Sequence, residues 1–315
     1  MRRLFVKTTF AEPVDLTGKR IVVTGAGPRS LGFATAKILA DWGATVTVTT
    51  RADTEAVVEA LRAELPNGAA DHIEGHSLDL SDRESVDRFV RWLIDKHERL
   101  DVLINNAGVH LDLLSRWKEP RLTADGVETH WRVNYLGTAH LTRRLLPLLR
   151  KTGEATGDAR VVTVGSQIYA KGSNVDIPEP TRPYNSWTAY ATSKLALMHM
   201  TSELQRRFAS TSNLQAYCLH PGSVYTRDAD KGLEGAGLIE KVRGALAPVE
   251  AFFLKTPEEG AQTQIHCATK PGLRGDIYFT ECQPTPTTED ARDSEVARRL
   301  WDETEIWIGG RGHWR

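Results

Sequence analysis

Short β-branched runs alternate with segments of helical periodicity along most of this chain. Residues 19–24 read Lys-Arg-Ile-Val-Val-Thr and stop at a glycine, as a buried strand entering a tight turn does. Apolar residues then recur at helical spacing over residues 31–42, until Gly43 ends the pattern. Because successive strands joined by helices must run parallel, this alternation predicts an α/β fold, a doubly wound parallel sheet with helices on both faces.

The same alternation predicts the remaining elements. Further strands are expected at residues 44–50, 72–77, 102–104, 160–164, 214–219 and 276–279. Further helices are expected at residues 54–65, 81–99, 126–150, 188–208, 257–269 and 290–308. Two long stretches, residues 167–187 and 223–254, interrupt the rhythm. Because both follow strands, we expect them at the carboxyl edge of the sheet, where such folds bind ligands.

The length of the chain fits one large domain. Its 315 residues, 40% of them hydrophobic, can bury a single core. We expect this domain to span residues 19–309, including both long loops and a C-terminal helix, after an N-terminal extension at 1–18 and before a tail at 310–315. The first 18 residues contain no apolar run long enough for a signal or membrane helix.

Charge and cysteine content disfavour several classes of partner. A formal net charge of −1 creates no global field that would recruit nucleic acid or an anionic membrane. Cys218, Cys267 and Cys282 lie far apart, so neither a disulfide scaffold nor a zinc site is indicated, and the reducing cytoplasm fits best. Four scattered histidines show no metal-ligand spacing and are expected to be packed or solvated, with no metal bound. They are His110, His130, His140 and His199.

Four motifs follow predicted strands or lie on a predicted helix. They are the glycine-containing turn at 24–32, Asn-Asn-Ala-Gly at 105–108, Tyr-Ala-Thr-Ser-Lys at 190–194, and His-Pro-Gly-Ser-Val-Tyr-Thr at 220–226. In this order they resemble the short-chain dehydrogenase/reductase family over nearly the whole chain. Residues 255–263 and 291–301 are similar to its retinol dehydrogenase-like branch. The resemblance implies a Rossmann fold and an oxidoreductase that binds a nicotinamide dinucleotide.

The glycine-containing turn departs from the family pattern. Glycines here let the backbone approach a pyrophosphate at a helix N-terminus, although an ordinary strand-to-helix turn would look the same. The family turn reads Thr-Gly-x-x-x-Gly-x-Gly, whereas this chain has one extra residue and Ser30 in place of the middle glycine. Gly25 and Gly32 keep counterparts, while the role of Gly27 stays open. Ser30 narrows the approach to the cofactor, and its hydroxyl is an alternative phosphate contact.

The resemblance implies a full set of cofactor contacts. Asp79 resembles the family's adenine-contacting aspartate, although Asp79 or Ser81 could instead cap a helix. Asn105 resembles the asparagine that stabilises the strands. The implied cofactor-binding residues are Gly25, Gly27, Arg29, Ser30, Leu31, Gly32, Arg51, Asp79, Leu80, Asn106, Ala107, Gly108, Tyr190, Lys194, Pro221, Gly222, Val224 and Thr226.

Charge at the end of the second strand favours NADP over NAD. An acidic residue there would bind the ribose hydroxyls of NAD and repel a 2′-phosphate, whereas arginine accommodates that phosphate. The strand ends Thr49-Thr50-Arg51 with no carboxylate, and Arg29 lies in the first turn. Either arginine alone is as well explained as a solvated surface residue. The two together predict an NADP-binding site.

Tyr190 and Lys194 are the predicted reactive pair. Their i, i+4 spacing places both side chains on one face of a helix. An adjacent ammonium lowers the pKa of a phenol, which lets the phenol donate a proton during reduction and accept one during oxidation. Taken alone, the pair is equally typical of a half-buried tyrosine beside a surface lysine. The family resemblance favours the catalytic role, in which Lys194 also holds the nicotinamide ribose.

The resemblance adds two further catalytic residues. Ser166, at the end of the fifth predicted strand, matches the serine that hydrogen-bonds the substrate oxygen; the alternative is a serine that satisfies a strand end. Asn134 matches the asparagine that supports a water-mediated proton relay to the lysine; the alternative is a polar residue that kinks its own helix.

The sequence therefore predicts an NADP-dependent oxidoreductase that moves a hydride between nicotinamide and a carbonyl/alcohol pair, with ketone or aldehyde reduction as the expected direction. A redox-neutral enzyme of the same fold, such as an epimerase, dehydratase or cyclase, is the alternative suggested by the unusual turn. An NADP-sensing binding protein is disfavoured because Ser166, Tyr190 and Lys194 are all present.

The two long loops predict a medium-sized, largely apolar small-molecule substrate. Members of the family often form dimers through the helices carrying Asn134 and Tyr190, so a homodimer is compatible with the sequence, although a C-terminal extension alters that packing. The apolar loop residues are Ile168, Tyr169, Ile177, Tyr184, Trp187, Leu238, Ile239, Phe252 and Phe253.

Overall fold

A computed structural model of the chain describes residues 8–51, 53–66, 68–112, 114, 116–177, 183–224, 254–273 and 278–310. Eight described strands form one sheet at its centre. In chain order they are β1 (Arg20–Thr24), β2 (Thr45–Thr50), β3 (Ile73–Ser77), β4 (Val102–Asn105), β5 (Ala159–Val164), β6 (Leu214–His220), β7 (Tyr278–Thr280) and β8 (Gln283–Pro284).

The sheet has the predicted doubly wound topology. Its strand order is β3-β2-β1-β4-β5-β6-β7-β8, and β1 to β7 all run parallel. Val23 of β1 pairs with Val48 on one side and with Ile104 on the other. The order reverses between β1 and β4, so the carboxyl ends of these strands open a crevice suited to a ligand.

The short edge strand β8 was not predicted from the sequence. It pairs antiparallel with β7 through a two-residue turn, in which Glu281 and Cys282 have φ angles of 52° and 60°. Two consecutive residues with positive φ make the kind of turn that matches the twist of a hairpin, although glycine or asparagine usually occupies it. Because Gln283–Pro284 is only two residues long and contains a proline, it has no alternating pattern to read.

Helices cover both faces of the sheet. They are α1 (Leu31–Asp41), α2 (Thr54–Glu64), α3 (Arg83–Lys96), α4 (Thr138–Thr156), α5 (Ser186–Phe208), α6 (Pro257–Thr269), α7 (Glu289–Arg292) and α8 (Ser294–Ile308). The sequence places α6 at the observed residues because Thr256 and Glu259 form a capping box and Pro257 takes the first helical position.

Four predicted helices begin or divide differently in the structure, each for a local reason. Helix α5 starts two residues earlier than expected because the Asn185 side chain supplies its N-cap. Helix α3 starts two residues later than expected because Asp82 supplies its N-cap. The helix expected from residue 126 instead contains a π-helical turn at Trp131–Gly137 before α4. The C-terminal helix is two helices, because the Asp293 carboxylate accepts hydrogen bonds from the first backbone N–H groups of α8 and so starts a new helix there.

The core lies in two layers, one on each face of the sheet. One layer packs α1, α2 and α6 against β1 and β2, and the other packs α3, α4, α5 and α8 against β4 to β6. The N-terminal segment contributes to the first layer: Ala11 and Leu16 are buried, and the backbone N–H of Ala11 donates to Gln262 Oε1 over 3.0 Å. None of the helices in the described part of the chain is long and apolar enough to cross a bilayer.

Helix α8 is anchored by side chains from earlier in the chain. The Arg83 guanidinium lies 4.1 Å from the Trp307 ring centroid, and Nη2 donates to the carbonyl oxygens of Trp307 and Ile308 over 2.7 Å each. Tyr135 is fully buried, and its hydroxyl lies 2.7 Å from Thr304 Oγ1. These contacts place the C-terminal helix across the α4 and α5 layer.

Candidate active site

Many of the predicted site residues follow the carboxyl ends of β1, β4, β5 and β6. These ends meet at one edge of the sheet because the strands are parallel neighbours. Two groups of residues are distinguishable there. One is the turn between β1 and α1, and the other surrounds Tyr190 and Lys194 on α5.

Two glycines of the turn have no room for a side chain. Gly25 has a φ of +70°, and a Cβ added there would lie 2.9 Å from the Cα of Ala107. A Cβ added at Gly32 would lie 2.6 Å from both Asn106 Nδ2 and the carbonyl oxygen of Gly25. An added Cβ at Gly27 meets nothing within 4 Å. Gly25 and Gly32 are therefore required by packing, whereas Gly27 leaves open space beside the turn.

Ser30 starts helix α1. Its Oγ accepts a hydrogen bond from the Phe33 N–H over 3.1 Å and donates to the carbonyl oxygen of Gly25 over 3.2 Å. The serine that replaces the family's middle glycine thus serves as the helix N-cap and closes the turn on itself. A phosphate contact through this hydroxyl would have to compete with both bonds. The backbone of Leu31 begins the helix and keeps its N-terminal N–H groups at the edge of the sheet.

The two arginines predicted to select NADP are both exposed. Arg29 lies in the turn with a φ of 63°, a left-handed conformation that is uncommon for a residue other than glycine. Arg51 directly follows β2. The next carboxylate along the chain, Asp53, accepts a hydrogen bond from the Ala56 N–H over 3.1 Å and caps α2.

The asparagine that joins the two central strands is Asn106, not Asn105 as expected from the resemblance. Asn106 Nδ2 donates to the carbonyl oxygens of Thr24 and Gly25 over 2.8 and 3.1 Å. Asn105 Nδ2 instead donates to Thr142 Oγ1 over 2.9 Å, on helix α4. Asn105 is the last residue of β4, and its side chain is held by α4, so the contact with the end of β1 falls to Asn106.

Asp79 and Leu80 follow the carboxyl end of β3. Asp79 Oδ1 accepts hydrogen bonds from both the backbone N–H and the hydroxyl of Ser81, over 2.8 and 2.7 Å. Neither Asp79 nor Ser81 caps α3, because Asp82 is its N-cap. The carbonyl oxygen of Leu80 accepts from the buried Arg132 over 2.6 Å. A local turn therefore fixes the Asp79 carboxylate before any ligand binds.

Lys194 is buried, with 4% of its surface exposed. Its Nζ donates to the carbonyl oxygen of Val164 over 3.0 Å and lies 5.6 Å from the ring centroid of Tyr190. Burial lowers the pKa of the ammonium to about 8. This geometry is inconsistent with the alternative of a surface lysine beside the tyrosine.

Asn134 lies in the π-helical turn and reaches the same space. Its Oδ1 accepts a hydrogen bond from the Val109 N–H over 2.7 Å, and its Nδ2 donates to the Val109 carbonyl over 2.9 Å and to Ser193 Oγ over 3.1 Å. A Cβ added at Gly108 would lie 3.3 Å from both Asn134 Oδ1 and Lys194 Nζ. The helical turn that carries Asn134 is π-helical.

Ser166 and the loop after β6 complete the predicted site. Ser166 lies two residues after β5, and its Oγ accepts a hydrogen bond from the Ile168 N–H over 3.4 Å, which caps a short 3₁₀ helix at Gln167–Lys171. Gly222, after Pro221, has a φ of +87° and leaves room for Lys255. Val224 forms an isolated parallel bridge with Lys255. Thr226 lies outside the described residues.

The apolar loop residues divide into two groups. Tyr169 and Ile177 are 5% and 4% exposed and pack into the core, so they do not line a substrate pocket as expected. Ile168, Tyr184 and Trp187 keep exposed surface. The remaining four predicted residues lie outside the described part of the chain. They are Leu238, Ile239, Phe252 and Phe253.

His110 was missed as a residue of the site. Its ring stacks on Tyr190, with centroids 4.4 Å apart and planes 5° from parallel. The signal available in the sequence was its position two residues after Gly108. His130, His140 and His199 are buried, in agreement with the packed alternative. Among the described residues, no three His, Cys, Asp or Glu side chains are arranged to hold a metal ion.

The residues present fit a dinucleotide. Two glycines that exclude side chains stand at the start of a helix, where free N–H groups favour a phosphate. The Asn106 Oδ1 atom is buried and has no hydrogen-bond partner in the described part of the protein, which leaves an acceptor available beside the turn. Gly108 keeps open the approach to Lys194 and Asn134.

Comparison with known proteins identifies the family. The short-chain dehydrogenase model matches residues 19–234. Retinol dehydrogenase 14 from Mus musculus is 36% identical over 95% of this chain and 88% of its own length, and a probable oxidoreductase from Streptomyces lividans is 36% identical over 92% and 97%. A crystal structure of an uncharacterised protein from Mycobacterium paratuberculosis, 30% identical, superposes with a TM-score of 0.70 over 98% of this chain and all of that one. The chain therefore belongs to the short-chain dehydrogenase family of nicotinamide-dependent oxidoreductases, with retinol dehydrogenases among its relatives.

Proposed function

We propose that the protein is an NADP-dependent carbonyl reductase or alcohol dehydrogenase acting on a medium-sized, largely apolar substrate, with reduction of a ketone or aldehyde as the working direction. The observation that carries this proposal is the convergence around Gly108. Asn134 Oδ1 and Lys194 Nζ both lie 3.3 Å from the position of a Cβ on that residue, and Lys194 lies beside the Tyr190 ring.

The mechanism assigns one role to each side chain. When bound, NADPH would supply a hydride to the carbonyl carbon. The Tyr190 hydroxyl donates a proton to the carbonyl oxygen, and Ser166 Oγ donates a hydrogen bond to that oxygen while negative charge develops. Lys194 provides positive charge that favours loss of the tyrosine proton, and Asn134 holds the Val109 backbone and Ser193 in place beside it.

The choice of NADP rests on charge. Arg29 and Arg51 are the exposed cations at the turn and at the end of β2, and the Asp53 carboxylate is engaged in capping α2. A guanidinium pairs well with the 2′-phosphate that distinguishes NADP. Substituting Arg51→Asp should weaken NADPH binding by about 10-fold or more and leave NADH binding within about threefold, as ligand titrations of both cofactors would measure.

Turnover assays test the reaction itself. The protein is mixed with NADPH and a panel of ketones and aldehydes, and consumption of the reduced nicotinamide is followed by absorbance. The proposal requires consumption by the wild type and its loss in Tyr190→Phe. Conversion of a substrate without net consumption of nicotinamide would instead establish the redox-neutral alternative, an epimerase, dehydratase or cyclase.

The cellular setting and assembly are part of the same proposal. A cytoplasmic enzyme is supported by three buried, unpaired cysteine thiols, and the near-neutral chain gives no reason to expect nucleic-acid or membrane partners. Helix α8 packs across α5, and Tyr135 in the π-helical turn contacts Thr304 of α8. A homodimer therefore has to accommodate α8 on this face, and light scattering of the purified protein would give its mass.

A further inference from the structure

His110 is the aromatic neighbour of Tyr190. The two rings are parallel within 5°, with centroids 4.4 Å apart, so the imidazole covers one face of the phenol. Trp187 meets the same imidazole edge-on, with centroids 4.4 Å apart and planes at 81°. Offset or parallel contact between flat rings stabilises one orientation of each. His110 thus lies between the tyrosine and an exposed tryptophan.

The backbone on both sides of His110 is held by one helical turn. Asn134 exchanges two hydrogen bonds with the backbone of Val109, over 2.7 and 2.9 Å. The Leu111 N–H donates to His130 Nε2 over 3.1 Å. Because His130 and Asn134 are four residues apart, a single stretch of helix fixes the residues before and after His110.

Glu128 determines which nitrogen of His130 accepts. Since Nε2 accepts from Leu111, the other ring nitrogen, Nδ1, carries the proton and donates to Glu128 Oε1 over 2.7 Å. The second Glu128 oxygen accepts from the Trp131 N–H over 2.8 Å. His130 is fully buried, so this arrangement is rigid.

The chemistry of His110 itself favours stacking over proton transfer. Burial and the neighbouring His130 lower its pKa to about 4, so the ring is neutral at physiological pH. Its Nε2 is buried and has no hydrogen-bond partner among the residues that the structure describes. The contribution that remains is that of a flat, uncharged surface.

From this geometry we infer that His110 is a positioning residue for the proposed reaction: its ring fixes the plane of the Tyr190 phenol so that the hydroxyl points at the substrate oxygen. The inference rests on the proposed function, in which Tyr190 is the proton donor. An error of about 1 Å in such a group can lower turnover by roughly 100-fold.

Two variants of matched size separate a flat ring from mere filling of space. His110→Phe keeps a flat aromatic ring, and His110→Leu keeps volume without one. We expect kcat of His110→Leu to fall by about 10-fold or more, with KM for NADPH within about twofold, and kcat of His110→Phe to stay within about threefold of the wild type. Removal of the unpaired nitrogen should leave the melting temperature of His110→Phe equal or higher.

The control is His76→Leu. His76 also contacts two aromatic rings, Phe89 at 5.5 Å and Trp92 at 4.8 Å, but it lies on β3 at the far edge of the sheet. This variant should turn over like the wild type. Equal kcat for wild type and His110→Leu would overturn the inference, and so would a His110→Phe variant as slow as His110→Leu, which would mean that a ring nitrogen is needed.

Crystal structures of the variants give a readout independent of turnover. The inference expects the Tyr190 ring to keep its plane in His110→Phe and to rotate or adopt two positions in His110→Leu. If the wild type exchanges hydride with no carbonyl compound, the proposed function fails. The orientation of the Tyr190 ring then still decides whether His110 positions it.

Discussion

The two halves of the site are built in opposite ways. The turn between β1 and α1 depends on the absence of side chains, because Gly25 and Gly32 have no space for a Cβ. The region around Tyr190 depends on polar side chains that hydrogen-bond to other parts of the fold, such as Lys194 to the Val164 carbonyl and Asn134 to the Val109 carbonyl. Adding atoms to the turn should therefore weaken cofactor binding, whereas removing polar atoms from the catalytic region should lower kcat.

The largest effect is expected from removing one oxygen in the catalytic region. Tyr190→Phe keeps the ring and its stacking on His110 but deletes the proton donor, so kcat should fall by about 10²- to 10⁴-fold. Binding of NADPH, measured by titration without substrate, should change by less than about threefold. Turnover close to that of the wild type would contradict both the proposed mechanism and the view that the catalytic region depends on its polar atoms.

Adding one carbon to the turn should have the next largest effect. In Gly32→Ala the new Cβ would lie 2.6 Å from Asn106 Nδ2 and the Gly25 carbonyl oxygen, so the turn must open and NADPH affinity should fall by about 10- to 100-fold. Gly27→Ala is the matched control, because its Cβ meets no atom within 4 Å. Thermal unfolding should separate the pair, with a lower melting temperature for Gly32→Ala only.

Lys194 should make stability depend on pH in a defined window. Burial lowers its pKa from 10.5 to about 8. Between these values the unfolded chain holds the proton and the folded protein releases it, so the free energy of unfolding rises with pH by up to about 1 kcal/mol per pH unit. Below pH 8 both states are protonated and the burial penalty is complete.

Lys194→Met removes this titration while filling similar space. Denaturant unfolding of both proteins, at one pH below the window and one inside it, should show the wild type gaining stability relative to the variant as the pH rises. Groups titrating in both proteins cancel in the difference. A constant difference across the window would mean that the ammonium is solvated when the protein is folded.

The smallest effect tests whether Ser30 belongs with the turn or with the chemistry. Ser30→Ala removes the N-cap of α1 and should lower the free energy of unfolding by about 1 kcal/mol, whereas Ser30→Gly should cost only a few tenths. Neither should change kcat by more than about twofold. A large loss of NADPH affinity in both variants would show that the hydroxyl contacts phosphate after all.

The sequence predicts the fold and the turn better than the details of the catalytic region. Parallel strands and their helices have strong periodicity, and a glycine-containing turn between a strand and a helix is a recognisable motif. Residue type therefore suffices to single out Gly25 and Gly32, although the atoms that crowd them belong to Ala107 and Asn106. The π-helical turn at Trp131–Gly137 has no comparable signal, because its residues keep an ordinary helical pattern. The stacking of His110 on Tyr190 joins residues 80 positions apart and emerges only when β4 and α5 meet.

Two further errors lie at the ends of helices and strands. Asn105 was expected in a loop but lies in β4. The hydrogen bonds to the end of β1 that were expected from Asn105 come from Asn106. The C-terminal helix was expected to be continuous, but Asp293 divides it. The first error arises because contacts distant in the chain set the roles of the two asparagines, whereas the second arises from a local helix cap that the apolar pattern does not show.

The contact between Arg83 and α8 joins residues that are synthesised at very different times. The Arg83 guanidinium binds the carbonyls of Trp307 and Ile308, which are synthesised 224 and 225 residues later. During synthesis the Arg83 guanidinium stays hydrated until residues 307 and 308 have emerged and can accept its hydrogen bonds. The second layer of the core is therefore completed only after α8 has emerged, so fragments that stop before α8 should expose this layer to proteases and chaperones.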